Sequence, residues 1–288
     1  MHERSFVTSS PFSGKTLFLF QVNEVILSTG NPKVKELVKL RQSSRRRREL
    51  GLFVVEGVLE TSVLLKAGKK IHEIYFSEGL AGTGQTQELL EGCREEGCLL
   101  RELRGEAFAK ASYKSSQTGV LSVFETWDLD CSKLRQSPRV ALVIDEIEKP
   151  GNIGAILRTA EAFGVSSVLL SDPVLDFFNP NVVRSSRGLM ACLDIATGTK
   201  EEVYSWLKKE NLRLFGTSAK ASHSYWEQEF ATGTAFALGS EKEGLGDFWR
   251  ERIDDWITIP MKGEASSLNL NVSAACLLAE FNRSVVWT

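Results

Sequence analysis

The sequence lacks the patterns from which metal sites and disulfide frameworks are built. Its five cysteines (Cys93, Cys98, Cys131, Cys192 and Cys276) are odd in number, and none stands in a C-x-x-C pair. The three histidines (His2, His72 and His223) lie far apart and next to no cysteine. Such spacing argues for reduced thiols in a cytosolic protein and against a zinc site or a stapled secreted domain. No metal role is expected. Long apolar runs are missing as well: none reaches the roughly 18 residues that a membrane span requires. Leu17-Phe-Leu-Phe20 is too short for the core of a signal peptide and no A-x-A site follows it, so residues 1–30 read as an amino-terminal arm. Charge of one sign is absent too. Lys and Arg number 35 against 37 Asp and Glu, for a net charge of −2. A nucleic-acid partner would therefore have to be held by a local basic patch.

One such patch is present. Between Lys33 and Arg48 stand eight basic residues and a single acid, Glu36, a local charge near +7. Four of them, Arg45, Arg46, Arg47 and Arg48, are consecutive and would repel one another strongly without a counter-charge. With Arg41 they are the expected phosphate-binding residues. Asn31-Pro32 is a good helix opening, and the spacing predicts one helix from there to about Leu50, stopped by Gly51. Short strands and helices then alternate: strands near 53–55, 71–76, 98–103 and 120–124, helices near 57–67, 85–96 and 106–114. This is the pattern of a small α/β domain over 31–125. Residues 126–139 hold little periodicity and read as a linker.

The remainder, 140–288, alternates again. Strands are expected at 140–144, 167–170, 212–216, 234–238 and 256–259. Helices are expected at 153–163, 181–190, 200–210 and 267–282, with a short one near 248–252. A chain of 288 residues with 42% hydrophobic residues can build both cores, and this order argues for a mostly parallel sheet covered by helices. A dinucleotide fold would place G-x-G-x-x-G after the first strand. Here that turn reads Asp145-Glu-Ile-Glu-Lys-Pro-Gly-Asn152, acid-rich with one glycine, and no Walker A pattern occurs. The glycine-rich turn comes late, at Gly239 to Gly246, so a ligand site is expected near the late strands and a nicotinamide-dependent oxidoreductase is disfavoured.

The last strand candidate runs into Ile259-Pro-Met-Lys-Gly-Glu-Ala-Ser-Ser-Leu-Asn-Leu-Asn271, and an apolar series at helical spacing follows to Phe281. Ser266 and Ser267 are candidate N-caps, which would put Ser267 and Asn269 in the first helical turn. Plain capping of a core helix explains this stretch equally well when it is taken alone. Two other stretches join it in order: Asn152-Ile-Gly-Ala-Ile-Leu-Arg158 after one strand, and Phe236-Ala-Leu-Gly-Ser-Glu-Lys-Glu-Gly244 on another. With these three motifs, residues 140–280 resemble the SpoU (TrmH) family of RNA 2′-O-ribose methyltransferases, of the SPOUT superfamily. Phe53-Val-Val-Glu-Gly57 and Gln117-Thr-Gly-Val-Leu121 resemble the start and end of the substrate-binding domain that precedes it in many members.

The resemblance implies an α/β fold with a carboxy-terminal SPOUT domain, parallel sheet and trefoil knot, preceded by a small α/β substrate-binding domain. It implies S-adenosylmethionine as cofactor, RNA as substrate, ribosomal RNA being favoured over transfer RNA, and a cytoplasmic homodimer. By it, Asn152, Arg158, Glu241, Ser267 and Asn269 are the catalytic residues. Gly216, Leu238, Gly239, Ile259, Met261 and Leu268 hold the cofactor, chiefly through backbone atoms. Arg158, one or two turns along from Asn152, is expected on the same side of its helix, holding a phosphate or a developing alkoxide, since a guanidinium keeps its charge. One departure stands in the third motif, where Asn271 replaces a small hydroxyl residue. A non-catalytic RNA-binding protein that kept the fold is the rival from another functional class.

Overall fold

The computed structural model describes residues 23–77, 79, 84–113, 119–240 and 243–286. The first unit is a five-stranded sheet: β1 (Glu24–Ile26), β2 (Leu52–Glu56), β3 (Ile71–Phe76), β4 (Leu99–Leu103) and β5 (Val120–Glu125), in the order β1-β4-β3-β5-β2. β1, β4 and β3 are parallel, and β5 runs antiparallel to both β3 and β2. β1 lies inside the stretch expected to be an arm; at three residues it is too short to announce itself, and it is defined by pairing with β4. Five helices surround the sheet: α1 (Pro32–Gln42), α2 (Ser44–Leu50), α3 (Val58–Lys66), α4 (Gly84–Glu95) and α5 (Glu106–Ala111).

The single helix expected from Pro32 to Leu50 is broken in two. Ser43 adopts an extended conformation, and its hydroxyl accepts from the Arg46 amide at 3.2 Å, capping α2. A serine offers the backbone this alternative partner, which is why it favours caps over helix interiors. Gly51 ends α2 in the left-handed region, φ 63°. Alternation along β2 sends Val54 to the core beneath α1 and α5, while Phe53 and Val55 face the second unit.

The second unit is a seven-stranded sheet, all parallel: β6 (Val140–Asp145), β7 (Ser167–Ser171), β8 (Asp194–Gly198), β9 (Arg213–Thr217), β10 (His223–Ser224), β11 (Thr234–Leu238) and β12 (Asp255–Thr258). Their order is β10-β12-β9-β11-β6-β7-β8. Helices are α6 (Pro150–Ala162), α7 (Pro180–Ser185), α8 (Lys200–Lys209), α9 (Asp247–Arg250) and α10 (Leu270–Val286). α6 and α10 cover one face through Ile156, Leu157, Leu277 and Phe281; α8 and α9 cover the other through Trp206, Leu207 and Trp249. Burial on both faces is why β6 and β11 read as unbroken apolar runs. β8 went unpredicted because only Ile195 and Ala196 are apolar and buried within it. The helix expected over 181–190 stops at Ser185, because Arg187 (φ 54°) and Gly188 (φ 79°) turn the chain left-handed.

The two units are packed together. Phe53, Trp127, Phe177 and Phe178 form one ring cluster across the boundary, with Phe53 and Phe178 centroids 5.0 Å apart and Trp127 and Phe178 4.8 Å apart. The Lys69 ammonium lies 4.3 Å from the Trp127 ring centre, and burial holds its pKa below the ordinary lysine range. Gly188 also abuts the first unit: a Cβ there would stand 3.0 Å from the Glu60 carbonyl oxygen. The stretch 126–139 is adherent, with Thr126 donating to Gly51 O and Leu129 O accepting from Thr197.

Candidate active site

In open parallel sheets, ligands bind beyond the carboxyl ends of the strands. Half of that edge is filled. At the ends of β6 and β7, Lys200 pairs with Glu146 and lies 3.9 Å from Asp145 and 3.8 Å from Asp172. Asp145 is buried and accepts from Ser171 at 2.8 Å; burial raises its pKa. The acid-rich turn that follows the first strand of this unit is thus closed by a lysine.

The other half is open. Beyond β9, β11 and β12 lies a cleft of about 1230 Å³. Its walls are Thr217 at the end of β9 and Ser218 after it, Gly239, Ser240, Glu243, Gly244 and Leu245 after β11, Trp256 on β12, Ile259 and Met261 after it, and Ser266 to Leu270 leading into α10. The loop after β11 folds back on itself, with Ser240 and Gly244 exchanging hydrogen bonds of 3.1 and 3.0 Å. A Cβ on Gly239 would lie 2.1 Å from the Gly244 carbonyl carbon and 2.2 Å from the Leu245 nitrogen. Only glycine fits, because the loop's own backbone occupies that space.

Six of the expected site residues meet on this cleft: Gly239, Ile259, Met261, Ser267, Leu268 and Asn269. Leu238 is fully buried in the core, and only its backbone adjoins Gly239. Gly216 stands apart, since a Cβ there would lie 2.3 Å from Ile253 Cδ1; it makes room for that side chain, and Thr217 is the residue that faces the cleft. Sequence reasoning also missed Ser218 to Ser222, four small residues and Lys220 after β9, whose signal was their position after a strand.

Two local expectations are corrected. α10 begins at Leu270, so Ser266 and Ser267 do not cap it but lie exposed in the loop. Asn269 takes the capping place, its Oδ1 accepting from the Asn271 amide at 3.0 Å and its carbonyl from the Ser273 amide. In α6 the N-cap is Lys149, and Asn152 lies in the first turn. Six residues of helix rotate by about 240°, so Asn152, half-buried, and Arg158, exposed, leave α6 on different sides.

Arg158 makes no hydrogen bond or ion pair with any described residue, and Glu241 lies outside the described residues. Its place is nevertheless fixed. The neighbouring Thr159 hydroxyl donates to Asn271 Oδ1 at 2.7 Å, which ties α6 to the first turn of α10, just past Asn269 and Leu270 on the cleft. Asn271, the departure in the third motif, is the side chain long enough to reach α6.

The arginine run divides. Arg47 is 3% exposed, pairs with Asp176 of the second unit at 2.6 Å and donates to Leu40 O at 2.6 Å. Arg46 grips Glu36 with two bonds of 2.7 and 2.9 Å, which hold the Glu36 carboxyl below the usual range. Arg45 bonds Glu49 at 2.7 Å. Arg41 donates to Ala111 O and Ser112 O, and Arg48 is exposed. Three of the four consecutive arginines are thus paired, two with the nearby Glu36 and Glu49 and one with Asp176 from far along the chain.

A model of the SpoU rRNA Methylase family matches residues 139–279, and a model of the MRM3-like substrate binding domain matches 31–122. An "Uncharacterized tRNA/rRNA methyltransferase" of Synechocystis sp. is 30% identical over 90% of this chain and 93% of its own. The chain belongs to the SpoU rRNA methylase family. It is also 28% identical to a 23S rRNA (uridine(2479)-2'-O)-methyltransferase of Streptomyces viridochromogenes, over 88% of this chain and 90% of that one. The crystal structure of an AdoMet-bound rRNA methyltransferase from Sinorhizobium meliloti superposes with a TM-score of 0.81 at 25% identity, covering 92% of this chain and 98% of that one. Within this family, the first unit is the substrate-binding domain and the second the methylase domain.

Proposed function

We propose that this SpoU-family chain transfers a methyl group from S-adenosylmethionine to a ribose 2′-oxygen of RNA, ribosomal RNA being favoured over transfer RNA. The observation that carries this reading is the cleft beyond β9, β11 and β12, onto which the second and third motifs converge. The relatives named for 23S rRNA and the AdoMet-bound neighbour support it. The cleft suits the cofactor chemically. Ile259, Met261 and Leu268 offer apolar surface for an adenine, Thr217 and Ser218 offer hydroxyls, and the volume exceeds that of a nucleoside joined to an amino acid.

The sulfonium supplies a methyl group already activated by its positive charge. The chain must align the ribose oxygen with it and ease loss of the hydroxyl proton. Ser267 and Asn269, exposed at the cleft mouth, are short hydrogen-bonding groups placed to hold the ribose. Arg158 keeps its charge and stabilises the adjacent phosphate or the developing alkoxide. Asn152, on another side of α6, meets the ribose rather than Arg158. Glu241 completes the set. A trefoil knot near the carboxy terminus belongs to this reading. So does a cytoplasmic homodimer, to which exposed Val272 on α10 offers apolar surface. Among the described residues no helix is long and apolar enough to cross a membrane.

The test is transfer of labelled methyl groups to ribosomal and transfer RNA that lack the modification. Label at a 2′-oxygen of ribosomal RNA is expected. Label confined to transfer RNA would replace the substrate, and binding of RNA without transfer to either would leave a non-catalytic RNA-binding protein. A second expectation concerns Gly239→Ala. Because its Cβ has no room, the loop must open, and S-adenosylmethionine binding measured by calorimetry should weaken by at least about tenfold. Unchanged affinity would mean that the loop after β11 does not shape the cofactor site.

A further inference from the structure

Tyr113, just past α5, carries two guanidinium groups on its ring. Arg41, at the end of α1 in the first unit, lies 5.1 Å from the ring centre. Arg184, on α7 in the second unit, lies 4.7 Å from it. Neither arginine forms an ion pair with a described residue: Arg41 is held by the carbonyls of Ala111 and Ser112, and Arg184 by Asn181 Oδ1 at 3.2 Å. The carboxylate that bonds this segment, Glu56, faces the Tyr113 backbone amide at 3.0 Å. Two like charges are therefore gathered on one ring across the boundary between the units. Arg184 is exposed and Tyr113 partly so. Elsewhere in this region the arginines are matched, Arg46 by Glu36 and Arg47 by Asp176. Among the described residues, what this pair lacks is an anion.

The pair is also connected to the site. α7 packs tightly on α6: a Cβ on Gly154 would lie 1.8 Å from Ser185 Oγ, and that hydroxyl stands 3.2 Å from Pro150 O in the first turn of α6. Arg184 precedes Ser185 in the chain, and Asn152 shares that first turn. We propose that Arg41, Tyr113 and Arg184 form a phosphate seat for the RNA strand, where it leaves the substrate-binding domain and enters the methylase domain. The aromatic ring keeps the two guanidiniums apart and aimed at one place, and the strand so held passes α6 on its way to the cleft. This rests on RNA being the substrate, as proposed above.

The test uses the full chain and a ribosomal RNA fragment, with binding measured by fluorescence anisotropy over a range of salt. Arg184→Gln is the main variant, since its side chain is exposed and its loss leaves no buried partner. Its affinity should fall by about tenfold, and the slope of log K against log salt should shrink by about 0.7 to 0.9, the loss of one phosphate contact. Arg184→Lys should restore most of the slope. Tyr113→Ala should weaken binding with less change in slope, because it removes the support and not the charge. Arg94→Gln, exposed on α4, is the control and should change neither. Cofactor affinity should be unchanged throughout. An unaltered slope in Arg184→Gln, or an equal loss in Arg94→Gln, overturns the seat. Parent protein that binds RNA with the expected slopes yet transfers no methyl group would overturn the activity and leave the seat standing.

Discussion

Arg158→Ala is expected to lower methyl transfer by about a hundred- to a thousandfold, roughly what loss of one group that stabilises developing negative charge costs. Cofactor affinity and melting temperature should stay at parent values. The separation follows from where the residue stands. Arg158 is exposed and bonds no described residue, so its removal leaves no cavity and, among the described residues, no unpaired charge. Yet Thr159 beside it is bonded to Asn271 at the edge of the cleft, so its guanidinium is carried on a fixed point. Arg158→Lys should recover only part of the rate, because an ammonium keeps the charge and loses the planar fork. Single-turnover transfer at saturating RNA and cofactor reads the chemical step directly. Parent-like transfer by Arg158→Ala would remove the arginine from the mechanism.

The legible parts of this molecule are those that obey local rules. β6, β7 and β11 are buried throughout and apolar in their middles because both faces of a parallel sheet are covered, and each lies within a residue or two of its expected bounds. β1 and β8 are defined by their partners, and nothing in Glu24–Ile26 or Asp194–Gly198 taken alone marks a strand. The start of α10 was misplaced because serine, serine and asparagine are all good caps; Asn269, nearest the apolar series, took the role. The cleft residues came from the resemblance of three motifs, which is why Thr217 and Ser218, outside all three, were missed. Arg47 was unreadable for another reason. A tally of nearby charge cannot see Asp176, which reaches it from 129 residues away.

That arginine carries the second large effect. Arg47→Ala should destabilise the protein by about 3–5 kcal/mol, the usual result of breaking one side of a buried ion pair, and lower its melting temperature by about 6–15 °C. The side chain is 3% exposed and holds Asp176, Leu40 O and Arg41 O together. Removing it leaves a carboxylate and two carbonyls without their donor at the boundary between the units. RNA affinity at a temperature where the variant is folded should keep the parent's salt slope, because a buried guanidinium contacts no phosphate. Arg48→Ala should do the opposite, leaving the melt unchanged and reducing the slope, since Arg48 is exposed. Within one run of four arginines, the two substitutions thus separate a clamp from a surface charge. A double variant, Arg47→Met with Asp176→Leu, should be less destabilised than Arg47→Ala, because it removes the orphaned carboxylate along with its partner. Should Arg47→Ala melt like the parent and lose salt slope instead, the arginine would be a phosphate contact and the boundary would rest on its apolar contacts, the Phe53, Trp127, Phe177 and Phe178 rings among them.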